Sequence, residues 1–271
     1  MLLLLPLLTL TLCAQQPTTR DLNEINWQEF AEFVPARSET VLIPTGTVEA
    51  HGVANNGADN TAPEALAKAM APRLNAFVAP VLAYGMTGSL DGYPGTFGVS
   101  EAAYRLMITD ILTGWARNGF RNLIVVNGHG GGQTAVLSDV AEKVSRELRV
   151  RILVTNWWSV CSDVTLRVFG EDGGHAGWNE TAFIQAINAK LVHPERYKAS
   201  MATARPEAGT WSAFPFPSPI ILYQAGQGYP KFDQGKAEAY FKGVVEKMTV
   251  LVADTIAKWD AANLYPRRVL R

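Results

Sequence analysis

The sequence predicts an α/β fold, a single domain with a mainly parallel sheet flanked by helices on both faces, and three observations carry that expectation. Continuous aliphatic runs recur at residues 40–44, 76–82, 123–126 and 152–155, as expected of strands buried on both faces. Helical stretches alternate with these runs, which is the pattern of a parallel sheet. The chain has 271 residues, 48% of them apolar, enough to bury one substantial core.

In chain order, the strand at 40–44 runs into Thr45-Gly46-Thr47, a loop start. A helix is expected from Ala62, with Thr61 as cap and Pro63 in its first turn. The run 76–82 reads as a second strand and empties into a glycine-rich loop holding Gly85, Gly88, Gly92, Gly95 and Gly98. Ser100 caps a helix reaching Arg117, and Asn118-Gly119 stops it. The strand at 123–126, the turn at 127–132, a helix over 133–148 and the strand at 152–155 follow. The stretch 214–219, rich in proline, reads as an ordered surface loop, and 236–264 as helix. Residues 22–268 are expected to form the one domain.

Charge narrows the function classes. There are 24 Lys and Arg against 25 Asp and Glu, with no basic run, so nucleic acid is excluded as an expected partner. Residues 1–14 read as a signal peptide, with an apolar stretch too short for a membrane span. The expectation is an exported protein, periplasmic or secreted. Cleavage near Ala14 is favoured over lipid attachment at Cys13, because Leu12 is bulkier than the small residue such a site wants. The mature chain would then keep only Cys161 and form no intrachain disulfide.

Three of the four histidines fall in glycine-flanked turns: His51 before Gly52, His129 between Gly128 and Gly130, and His175 after Gly174. Acids accompany them at Glu49, Asp59 and Glu180. In an open α/β sheet, ligands bind beyond the carboxyl ends of the strands. Imidazole and carboxylate converging there suit zinc or manganese, whereas calcium prefers oxygen alone. Spacing alone leaves a second reading open, with Glu49 and Asp59 as solvated loop acids and Glu180 as a helix opener. The triple glycine 130–132 lacks the lysine of a phosphate loop, and no Gly-x-Ser-x-Gly elbow accompanies His129 as an esterase would require. Close passage of backbone past a bound ligand is the favoured use of these glycines. The remaining histidine, His193, reads as a surface or packing residue.

The stretch 41–52, ending at Asp59, resembles the creatininase-family signature, in which a Pro-x-Gly-x-x-Glu-x-His-Gly loop leads to an aspartate. Asn127-Gly128-His129-Gly130-Gly131 is similar to the family's second motif, His175-Ala176-Gly177 with Glu180-Thr181 to its third, and Tyr93-Pro94-Gly95-Thr96 to a weaker fourth. The resemblance spans about residues 22 to 230. It implies a centre of two divalent ions, zinc, manganese or iron, with Glu49 and His129 on one, His51 on the other, Asp59 bridging and Glu180 or a nearby group completing the shell. His175 and Glu180 are then the expected catalytic residues, His175 as proton carrier or substrate ligand. The implied reaction is hydrolysis of a C–N bond in a small-molecule amide, cyclic amides included, by a hydroxide held between the ions. A homo-oligomer is implied as well, a hexamer among the options.

Trp157, Trp158 and Trp178 flank the second and third motifs and are candidates to wall the substrate pocket, with packing as the alternative use. Certain departures point away from creatinine itself. The segment from His51 to Asp59 is one residue shorter than the common pattern, and no glutamate closely follows His129. Two alternatives stand beside the amidohydrolase reading. One is another hydrolysis on the same scaffold, such as deformylation, peptide trimming or opening of a cyclic ketone or lactone. The other is a metal- or ligand-binding protein without catalysis.

Overall fold

The computed structural model describes residues 16–266. The signal-peptide reading of 1–14 and the last two positions of the expected domain lie outside the described residues.

Four parallel strands, β1 (Thr40–Thr45), β2 (Ala76–Val78), β3 (Asn122–Asn127) and β4 (Arg151–Asn156), form the central sheet in the order β2-β1-β3-β4. Alternate side chains of each strand point to opposite faces, and both faces are covered. Leu42, Ile124 and Val126 pack against α2 (Ala58–Met70), α7 (Trp178–Ile187) and α8 (Gln234–Ala261). On the other face Val41, Ile43, Leu123 and Val125 meet α1 (Trp27–Phe33), α3 (Glu101–Arg117) and α4 (Gly132–Leu148). The fold is the α/β class expected, with α5 (Trp157–Val160) and α6 (Ser162–Phe169) completing the helical cover.

Strand register matters for function. Thr45 pairs with Asn127, and Asn127 with Asn156, so β1, β3 and β4 end level and release their loops at one edge. Asn127 ties that edge together, its Nδ2 donating to the His129 carbonyl at 2.6 Å and to Asn156 Oδ1 at 2.8 Å.

Three expectations need correction. β2 is shorter than 76–82 because Pro80 has no N–H for the ladder, although Leu82 rejoins through its N–H to the Pro44 carbonyl at 3.0 Å. α2 begins at Ala58, one turn before the expected start. Thr61 does not cap it but donates its hydroxyl to the Gly57 carbonyl, and Pro63 lies inside the helix. The shift puts Asp59 in the first turn. Finally, a small second sheet was not foreseen: β5 (Gly174–His175) pairs antiparallel with β7 (Ile220–Leu222), which pairs parallel with β6 (Ala202–Ala204). Strands of two or three residues leave no periodicity to read.

Candidate metal centre

The loop after β1 carries Glu49 and His51, the first turn of α2 carries Asp59, and the turn after β3 carries His129. From the small sheet β5 supplies His175, and the first turn of α7 supplies Glu180. Packing brings all six side chains together. His51 Nε2 lies 2.9 Å from Asp59 Oδ1 and 3.5 Å from Glu180 Oε2. His129 Nδ1 lies 2.7 Å from Asp59 Oδ2 and 3.2 Å from Glu49 Oε1. His175 Nδ1 lies 3.5 Å from Glu49 Oε1 and 3.8 Å from Glu180 Oε2.

Backbone contacts fix which nitrogens face this cluster. The Glu49 carbonyl accepts from His51 Nδ1 at 3.2 Å, and the Ala50 carbonyl accepts from His175 Nε2 at 2.7 Å. A nitrogen that donates to a carbonyl carries the proton of a neutral imidazole. His51 Nε2 and His175 Nδ1 are therefore the nitrogens turned toward the carboxylates. Glu180 is oriented in the same way, its Oε2 accepting the Ala176 N–H at 2.7 Å.

Burial and charge oppose each other strongly here. Glu49, His51, Asp59 and His129 are all between 1% and 8% exposed. Burial disfavours the charged form of His51, but the carboxylates of Asp59, Glu180 and Glu49 outweigh it and push the imidazole up to about 10. His129 is likewise raised against burial, by Glu49 and Asp59. Asp59 is held well below the usual carboxylate range despite its burial, because His51 and His129 face it. Burial raises Glu180, with His175 and His51 pulling the other way.

The donor set fits a divalent cation. Glu49 Oε2 and His51 Nε2 are buried without an aligned hydrogen-bond partner among the described residues, a costly state that a cation would relieve. Two groups of donors lie within 4.8 Å of one another: Glu49, Asp59 and His129, and Glu49, His51 and His175. Asp59 turns one oxygen to each of two imidazoles, as a carboxylate shared between two positions would. The second group contains His175, where the sequence reading placed Glu180.

Five of the six, all but the fully buried His51, form the floor of a cavity of about 490 Å³, walled by Thr87, Leu90, Trp158, Phe216 and Tyr223 among others. Of the three candidate tryptophans, only Trp158 lines it. Trp157 is buried and stacks on Phe183 at 4.5 Å, and Trp178 stacks on Phe169 at 4.4 Å, so both are packing residues. Gly131 needs its glycine for a left-handed backbone, φ +61°, at the start of α4; a Cβ there would meet nothing within 4 Å. Gly130 and Gly131 both line the cavity. His193 is half exposed beside Glu195, away from the cluster. Arg205 and Tyr223, which also wall the cavity, carry no motif and were not anticipated.

Fold and site together define an α/β protein with a buried carboxylate–imidazole centre at the carboxyl edge of its sheet. A sequence model of the family described as creatinine amidohydrolase matches residues 23–252, and the chain belongs to this creatininase family of metal-dependent amidohydrolases. Creatinine amidohydrolase of Pseudomonas putida is 28% identical over 193 residues, 64% of this chain and 74% of the relative. A mycofactocin precursor peptide peptidase of Mycobacterium ulcerans is 29% identical over 184 residues, 62% and 66% of the two chains. The 3-dehydro-scyllo-inosose hydrolase of Thermotoga maritima is 26% identical over 261 residues, 86% and 82%. A crystal structure of creatininase superposes with a TM-score of 0.75 at 24% identity, covering 88% of this chain and 98% of that one. A manganese creatininase gives 0.73 at 25% identity, and a zinc–zinc variant 0.74 at 24%, each with the same coverage.

Proposed function

We propose that the chain hydrolyses the C–N bond of a small amide at a centre of two divalent ions, zinc or manganese, held by Glu49, His51, Asp59, His129 and Glu180. The observation that carries this reading is the convergence of buried carboxylates and imidazole nitrogens at the floor of a cavity. Bound ions of this kind supply an activated water and polarise the carbonyl under attack.

The chain's own residues do the rest. Asp59 keeps the two imidazoles of His51 and His129 at a fixed separation through its two oxygens. His175, its Nε2 committed to the Ala50 carbonyl, has Nδ1 free to take a proton and pass it to the departing nitrogen. Trp158 and Phe216 contribute apolar surface to the cavity wall.

A metal-loaded protein should turn over members of an amide panel and lose that activity on chelation, regaining it with zinc or manganese. Failure of every amide, linear and cyclic, with metal bound would sink the reading. A cyclic ketone belongs on the same panel, because a relative aligned over 86% of this chain is named for an inosose hydrolase. Export after cleavage near Ala14 completes the proposal and rests on the apolar leader in the sequence. Assembly as a homo-oligomer rests on the family resemblance.

A further inference from the structure

The cavity wall carries one charged side chain that the chemistry above does not use. In the small sheet Ala204 of β6 stands opposite Leu222 of β7, so Arg205 and Tyr223 emerge together just past the paired ends. The Arg205 N–H closes on the Leu222 carbonyl at 2.9 Å and fixes the backbone there. On the other side of β7, Ile221 stands opposite His175 of β5. His175, Tyr223 and Arg205 therefore project from one face of the small sheet, with His175 level with Ile221 and with Tyr223 and Arg205 two residues further along β7. All three line the same cavity as Glu49, Asp59, His129 and Glu180.

The Tyr223 phenol feels both Glu180 and Arg205. Burial first, and then the Glu180 carboxylate, push its phenol up to about 12, while Arg205 pulls it back. The hydroxyl is thus a neutral donor between an acidic floor and a cationic rim. The Arg205 guanidinium carbon lies 5.9 Å from the Tyr223 ring centroid. Arg73, Arg105, Arg121 and Arg151 each pair with a carboxylate. Among the described residues none does so with Arg205, and no other Lys or Arg lines the cavity.

A guanidinium without a carboxylate partner, held at the rim of a substrate cavity, offers its planar fork to an anion. A single fork matches one carboxylate. A phosphate dianion would ask for more donors and would feel the three acids of the floor more strongly. We propose that Arg205 binds a carboxylate of the substrate, with the Tyr223 hydroxyl as a second donor, so that the enzyme acts on carboxylate-bearing amides: N-acylamino acids or short peptides. The assignment rests on the hydrolase reading above and names its substrate class.

The test compares pairs of substrates that differ only in the anion. N-acetylamino acids and tripeptides, each as free acid and as carboxamide, are assayed with metal-loaded wild type, Arg205→Gln and Arg205→Glu, each checked for metal content and melting temperature. The expected result is a wild-type preference for the acid of about tenfold to a hundredfold in kcat/KM, the scale of a charge-assisted hydrogen bond. That ratio should collapse toward one in Arg205→Gln and invert in Arg205→Glu. The two series separate N-acylamino acids from peptides as the source of the carboxylate. Turnover of the carboxamides with an unchanged ratio in the variants overturns the Arg205 assignment and leaves the hydrolase reading standing. If metal-loaded wild type turns over neither form, the hydrolase reading fails for these amides. Fluorescence titration with N-acetylglycine and its amide, following Trp158, then decides the assignment by itself: acid-selective binding lost in Arg205→Gln supports it, and equal binding overturns it.

Discussion

Asp59 faces two imidazoles with two different oxygens, and His175 faces the same cluster with its other nitrogen already bound to backbone; the two residues should therefore fail differently when removed. Asp59→Ala should lose metal and activity together and lower the melting temperature, because it leaves His51 and His129 without their nearest carboxylate and metal binding is coupled to folding. His175→Ala should keep most of its metal while kcat falls by about 10² to 10⁴, most for substrates with poor leaving groups. Metal analysis, melting curves and specific activity on both variants check the pair. Loss of metal in proportion to activity in His175→Ala would make it a ligand, as its grouping with Glu49 and His51 allows. His51, His129 and His175 were legible because each is flanked by glycine, and Glu49, Asp59 and Glu180 because each lies a few residues from one of them. Arg205 and Tyr223 were not legible, since nothing local distinguishes a rim residue from any exposed one. Trp157 and Trp158 show the same limit from the other side. They are neighbours in sequence, yet one indole stacks on Phe183 and the other faces the cavity.

The start of α2 is held to the sheet by two glycines. A Cβ at Gly46, after β1, or at Gly128, after β3, would overlap the backbone carbonyl of Asp59, and at Gly128 also the ring of Pro63. Because these neighbours are backbone and a rigid ring, they cannot swing aside. Gly46→Ala and Gly128→Ala should each cost about 1–3 kcal/mol, as overpacking does, and should weaken metal binding by displacing Asp59. A Gly130→Ala control, whose Cβ would meet only the Trp158 ring at 3.7 Å, should cost less in both measurements. Equal effects at all three positions in thermal unfolding and metal titration would refute the clamp. The strands themselves were legible as aliphatic runs because both faces of the sheet are buried. The exact start of α2 was not, because Thr61 and Pro63 imitate a helix start one turn too late. The second sheet escaped notice because pairing between distant segments, and not local pattern, makes its strands.

At the scale of the whole molecule, the buried centre couples protons, metal and stability. His51, raised from 6.5 to about 10 by its carboxylates, keeps a proton in the metal-free protein at neutral pH. A histidine raised on folding stabilises fully below its unfolded value, and that contribution is lost as pH climbs through the folded one. Chelated protein should therefore lose melting temperature between pH 6.5 and about 10. The cation displaces the same proton, so metal affinity should rise over that window and calorimetry in buffers of different ionisation enthalpy should record proton release. At metal concentrations of 100 times Kd the bound form gains about 2.7 kcal/mol, and the gap between loaded and chelated protein should widen with pH. A gap that narrows would contradict the linkage. The central claim, that this cluster is a centre for divalent metal, is tested most directly by anomalous diffraction from crystals soaked in zinc or manganese. The account predicts density between Glu49, Asp59 and His129, and beside His51, Glu180 and His175. Peaks only at surface residues, with the six side chains still paired to one another, would contradict it.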